Sequence, residues 1–229
     1  MPTTTTMPRE LRRPITYLIT GGETSSSTSP GSAEFDALLR LVELAAEARV
    51  ALVQIREKAL TARTLFDLAS RASRLTRGSE TRVVVNDRAD IARAAGCDGV
   101  HLSTRSLASS VVRRAFGEDF LIGASAHTHA EARAAREGGA DFAVFGPIFD
   151  TPSKRAYGPP VGLEALEETA LALAPFPLVA LGGVAEGNLV DVLRWGAEGV
   201  AAIRLFADGQ NLARRVHLIE DLYARRRSA

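Results

Sequence analysis

The sequence has almost no cysteine, no excess of either charge and no long apolar run, and each absence closes off a class of protein. Cys97 stands alone among 229 residues, which excludes an intrachain disulfide and a cysteine-built zinc cluster. Lys and Arg number 28 against 27 Asp and Glu, a net charge of +1. Neither nucleic acid nor an anionic membrane is therefore expected as a partner. No stretch approaches the roughly 20 apolar residues of a membrane span. The opening MPTTTTMPRELRRP lacks the apolar centre of a secretion signal. HExxH spacing for zinc is missing. So is the G-x-G-x-x-G turn of a dinucleotide fold, because Gly21-Gly22 leads into a Ser/Thr tract. The expectation is a soluble cytoplasmic protein.

What remains is 46% apolar and 24% charged, the balance of a globular chain at a length that suits a single barrel. Three stretches read as loosely ordered: a tail over residues 1–13, the GGETSSSTSPGS loop at 21–32, and the last few residues. Arg225-Arg226-Arg227 reads as the solvated end of a final helix. Between them, short β-rich runs alternate with Ala/Leu/Arg-rich segments of helical spacing. The runs are ITYLIT (15–20), VALVQIR (50–56), RVVVN (82–86), GVHL (99–102), FLIGAS (120–125), FAVFGP (142–147), PLVALGG (177–183) and GVAAIRL (199–205). Eight such units predict parallel pairing and a single (β/α)8 barrel over residues 14–229.

Polar residues gather where the runs end. In VQIREK, strand alternation puts Gln54, Arg56 and Lys58 on one face and Val53 and Ile55 on the other. Two neighbouring cations call for an anion between them, either a ligand such as a diphosphate or a carboxylate such as Glu57. Asn86 and Asp87 follow a buried run; Asp87 either caps the next helix or binds a hard cation such as magnesium. Gly123, Ser125 and His127 share a face, with the imidazole nearest the mouth, where it suits acid/base work. Gly182-Gly183 either makes a tight turn that requires glycine or allows close backbone approach at the position of a barrel phosphate site. Arg204, read as part of the eighth strand, would add charge there. In GPIFDTPSKRAYGPP, a proline-braced loop carries Thr151, Ser153 and Lys154, a combination suited to a phosphate.

In order, YLIT, VQIREK, VVVNDRADIA, DGVHL, IGASAHT, ADFAVFGPIFDTPSK, VALGG and GVAAIR resemble the thiamine phosphate synthase family and its relatives, the TenI-type thiazole tautomerases. The resemblance implies a (β/α)8 barrel that couples hydroxymethylpyrimidine diphosphate to a thiazole phosphate, releasing diphosphate. It places Gln54, Arg56 and Lys58 around the pyrimidine and its diphosphate, Asn86 as an anchor, and Asp87 on Mg2+. Ser125 would lie near the reacting centre and Lys154 at the leaving group. Thr151, Ser153 and Gly183 would hold the thiazole phosphate. The partners implied are phosphorylated small molecules, and the Ala-rich helical exterior permits a homodimer.

Three positions in two motifs depart from the family pattern. DGVHLSTRS carries Thr104 and Ser106 where the synthases have Gln and a second metal-binding Asp, and Arg204 replaces a usual Ser. These losses point toward a tautomerase with His127 as acid/base, or toward a non-catalytic binder of a phosphorylated ligand. Retention of Lys58 and Asp87 points back to the synthase.

Overall fold

The computed structural model describes residues 11–151 and 159–227. Strands β1 (Ile15–Ile19), β2 (Leu52–Ile55), β3 (Arg82–Asn86), β4 (Gly99–Leu102), β5 (Leu121–Ala126), β6 (Phe142–Phe145), β7 (Leu178–Leu181) and β8 (Gly199–Ala202) alternate with helices. The helices are α1 (Ala33–Glu47), α2 (Ala62–Leu75), α3 (Ala89–Ala94), α4 (Ser109–Phe116), α5 (His129–Glu137), α6 (Gly162–Leu173), α7 (Leu189–Arg194) and α8 (Leu212–Arg227). The strands pair in parallel in chain order, and β8 closes on β1. The predicted (β/α)8 barrel is the fold.

Each strand is buried on both faces, which is why it reads as a nearly unbroken apolar run. One face, with Ile15, Tyr17, Leu52, Val84, Phe142 and Val179, fills the barrel. The other, with Leu18, Val53, Ile55, Val83, Val100 and Ile122, packs under the helices. Inside, Tyr17 meets Phe142 edge-on with ring centroids 5.6 Å apart, and the His101 ring lies against both. Gly123 on β5 makes the room: a Cβ there would sit 2.4 Å from Phe142 Cζ and 2.8 Å from His101 Nδ1. Any side chain would push the imidazole or the phenyl ring out of place.

Several apolar runs outlast their strands. β2 stops at Ile55, where the Arg56 amide turns to the Thr20 hydroxyl at 2.8 Å. β8 stops at Ala202, leaving Arg204 in an exposed turn and not in the strand.

Of the segments expected to be loose, residues 1–10 and 228–229 lie outside the described residues; the loop at 21–32, Arg12, Arg13 and Arg226 are held. Thr24 and Thr28 are buried, and the Ser25 amide donates to Thr28 Oγ1 at 3.0 Å. Gly22 and Thr24 bond to Glu57 from the next loop. A polar segment that cannot bury apolar surface is ordered here by an acceptor brought from elsewhere, which composition does not reveal. At the opposite end of the barrel Arg12 pairs with Glu80 and Glu220, and Arg13 with Glu198 at 2.9 Å. Arg226 reaches the same Glu198 at 3.0 Å and the Ala197 carbonyl at 2.6 Å, so this arginine is an anchor and not a solvated charge.

Candidate active site

The strand ends assemble a connected polar surface at one mouth of the barrel. Gln54, buried on the inner face of β2, donates from Nε2 to Asn86 Oδ1 at 3.0 Å. Asn86 passes the chain on, Nδ2 to Asp87 Oδ2 at 2.8 Å. Asp87 Oδ1 accepts from the Ser103 amide at 2.9 Å and from the Ser106 hydroxyl. Asp87 therefore does not cap α3, whose N-cap is Arg88. Its backbone lies in the left-handed region, φ 58, a conformation uncommon outside glycine that Asp tolerates better than most. Burial works against the Asp87 charge, but the donors Ser106, Ser103 and Asn86 outweigh it and hold the carboxyl below its usual range.

Lys58, Asp87, Ser103, Arg105 and Ser106 line one hollow of about 460 Å³. Asp90 also faces it, but Arg88 holds Asp90 through two hydrogen bonds of 2.9 and 2.7 Å. Lys58 and Arg105 thus bring positive charge to a hollow whose other carboxylate, Asp87, is satisfied by neutral donors. Arg105 was not singled out in the sequence, and nothing there marks it: it sits at the tip of the 103–106 turn, and only the fold brings it beside Lys58. Arg56 and Lys58 do not extend the face of β2 as strand alternation predicted, because both lie beyond its end. The Arg56 guanidinium lies against Gly22 of the loop after β1. Glu57 does not bridge the two cations; its carboxylate turns to that same loop.

Deeper, His101 Nε2 and Ser125 Oγ are 2.9 Å apart. Burial pushes the imidazole down to about 4, with Asp87 opposing the shift and Arg56 adding to it, so it is neutral near pH 7. His127, just past β5, meets the Gly146 carbonyl through Nδ1. A carbonyl only accepts, so Nδ1 is the donor in this bond. Gly182 and Gly183 take φ of 95 and 67, and a Cβ at Gly183 would lie 2.6 Å from Phe149 Cβ. The pair thus seats the start of the proline-braced loop. In that loop the Thr151 hydroxyl donates to the Phe149 carbonyl at 3.1 Å; Ser153 and Lys154 lie outside the described residues.

A family model described as thiamine monophosphate synthase matches residues 17–206. The chain belongs to the thiamine monophosphate synthase family. It is 42% identical over 163 residues to the thiamine-phosphate synthase of Methanoculleus marisnigri, spanning 71% of this chain and 77% of that one. It is 36% identical over 189 residues to the thiamine-phosphate synthase of Moorella thermoacetica, spanning 82% and 90%. Among solved structures, a thiamine phosphate pyrophosphorylase from Pyrococcus furiosus matches with a TM-score of 0.74 at 25% identity, over 92% of this chain and 95% of that one. These relatives carry synthase names; the tautomerase and non-catalytic alternatives gain no support from them.

Among the described residues no group of three His, Cys, Asp or Glu side chains could hold a metal ion. Magnesium, however, commonly takes one or two carboxylates and completes its shell with water and substrate phosphate. Asp87, kept charged at the hollow, fits that lesser demand as a single carboxylate.

Proposed function

We propose that this family member joins hydroxymethylpyrimidine diphosphate to the thiazole phosphate, yielding thiamine phosphate and diphosphate. The observation that carries the reading is the hydrogen-bonded line Gln54–Asn86–Asp87 beside a hollow faced by Lys58 and Arg105. The reaction breaks the C–O bond to the diphosphate and forms a C–N bond to the thiazole nitrogen. No protein nucleophile is required; the barrier falls when charge growing on the leaving group is met by fixed cations and donors. Lys58 and Arg105 supply cations, and Arg56 adds a third from the side of the first loop. Gln54 and Asn86 present oriented amides to the pyrimidine. Ser125, oriented by neutral His101, lies beside the reacting carbon.

Thr151 and Gly183 border the thiazole phosphate, and the resemblance adds Ser153 to that seat and Lys154 to the leaving group. Magnesium would be held by Asp87 together with diphosphate oxygens, where it would supply further charge neutralisation. Asp87→Ala is expected to lower kcat/KM for coupling roughly 100-fold or more, followed by diphosphate release with both substrates and magnesium present. Ser106→Asp should reduce the magnesium needed for half-maximal rate. Coupling that survives Asp87→Ala unchanged would sink the assignment.

A further inference from the structure

Among the described residues Glu57 is the only acidic side chain that is fully buried, 3% exposed. A buried carboxylate must be matched by donors, and all those the structure gives it come from one segment, the loop after β1. Gly22 N donates to Oε1 at 3.1 Å, Thr24 Oγ1 to Oε2 at 2.7 Å, and Thr24 N to Oε2 at 3.4 Å. A second tie runs in the same direction, from the Arg56 amide to Thr20 Oγ1 at 2.8 Å.

On either side of Glu57 in the chain stand two of the three cations of the site, Arg56 and Lys58. With Glu57 turned to the first loop, Arg56 lies with a guanidinium nitrogen 3.8 Å from where a Gly22 side chain would begin, near enough to His101 to disfavour its protonation. Lys58 faces the hollow beside Asp87. Since Arg56, Glu57 and Lys58 lie past the end of β2, no sheet ladder fixes their directions.

We propose that Glu57 is a positioning residue: by clasping Gly22 and Thr24 it holds the first loop shut over the barrel rim and aims Arg56 and Lys58 at the leaving diphosphate. This deepens the functional reading and rests on it for the identity of the anion. The clasp itself does not.

The test uses the full chain and three variants: Thr24→Val, which removes one donor without touching the cations, Glu57→Gln, and Glu57→Ala. A glutamyl endopeptidase probes the loop at exposed Glu23, with cleavage mapped by mass spectrometry. Inorganic diphosphate, titrated calorimetrically, probes the cations. Thr24→Val and Glu57→Gln should each speed cleavage after Glu23 and weaken diphosphate binding about fivefold or more, the scale of one lost hydrogen bond to a charge. Glu57→Ala should do both more strongly, with Gln giving partial rescue, while the KM for the thiazole phosphate stays within about twofold, since that seat lies across the mouth and only direct contacts there would move it. Unchanged cleavage in both mild variants overturns the clasp. Faster cleavage with undiminished diphosphate affinity overturns the positioning role. Failure of the unaltered protein to couple the two substrates, with both responses present, removes the proposed function and leaves the clasp standing.

Discussion

His101 shows how much a single side chain can depend on its surroundings. Its ring is enclosed by Tyr17 and Phe142 and bonded to Ser125, and burial lowers its pKa to about 4. An unfolded histidine titrates near 6.5, so between these values the unfolded chain binds a proton that the folded chain refuses. Stability present above about pH 6.5 is therefore lost as pH falls toward 4, by about 3 kcal/mol over the window. Urea unfolding at pH 7 and pH 4.5 should show this loss, and His101→Gln should remove most of the difference between the two. Asp87 acts in a lower window, because a depressed carboxyl gives up its stability only below the ordinary carboxylate pKa. GVHL displayed the histidine, but its partner Ser125 comes from the neighbouring strand, so sequence spacing could not tell a packed ring from an orienting one.

Between elements, a comparable role falls to Arg113 on α4. Its guanidinium bonds to Asp141 at 2.8 Å, to the Gly139 carbonyl at 2.8 Å and to the Phe120 carbonyl at 2.6 Å. Asp141 in turn accepts from the Ile122 amide at 2.7 Å. The cluster joins the end of α4 to the starts of β5 and β6, and both charged side chains are nearly buried. Removing Arg113 leaves the nearly buried Asp141 without its ion-pair partner, so Arg113→Met should cost about 3 kcal/mol in urea unfolding. A surface ion pair such as Arg49–Glu80 contributes little, because water screens it, and Arg49→Met should leave urea unfolding nearly unchanged. Strands and long helices were legible because their apolar spacing repeats. α3 and α7, at six residues each, are too short for the period to show.

At the scale of the whole molecule, a barrel must join its first and last elements, and Glu198 does this at the end remote from the site. It accepts from Arg13 before β1 and from Arg226 and Tyr223 of α8. Burial works against its charge, and Tyr223, Arg13 and Arg226 outweigh it, holding the carboxyl below its usual range. Glu198→Ala should lower stability by about 1–3 kcal/mol while leaving kcat for coupling unchanged at a temperature where the variant is folded. Thermal unfolding paired with the diphosphate-release assay reads both. A fall in kcat without a fall in stability would contradict this division between the two ends.

The sequence by itself determined the barrel, because burial on both faces writes every strand as a short apolar run and each helix-forming segment follows in turn. It also determined which residue types stand at the strand ends, since a motif such as VQIREK is local. Directions beyond those ends were decided only in three dimensions. Arg56 and Lys58 leave the strand, where alternation no longer applies, and Glu57 turns away to Gly22 and Thr24, some thirty positions earlier in the chain. Arg105 reaches the hollow that Lys58 lines because the turn after β4 is bonded to Asp87 at the end of β3. Local periodicity carries information only while a ladder or a helix repeats it; where the backbone leaves both, distant hydrogen bonds choose the geometry.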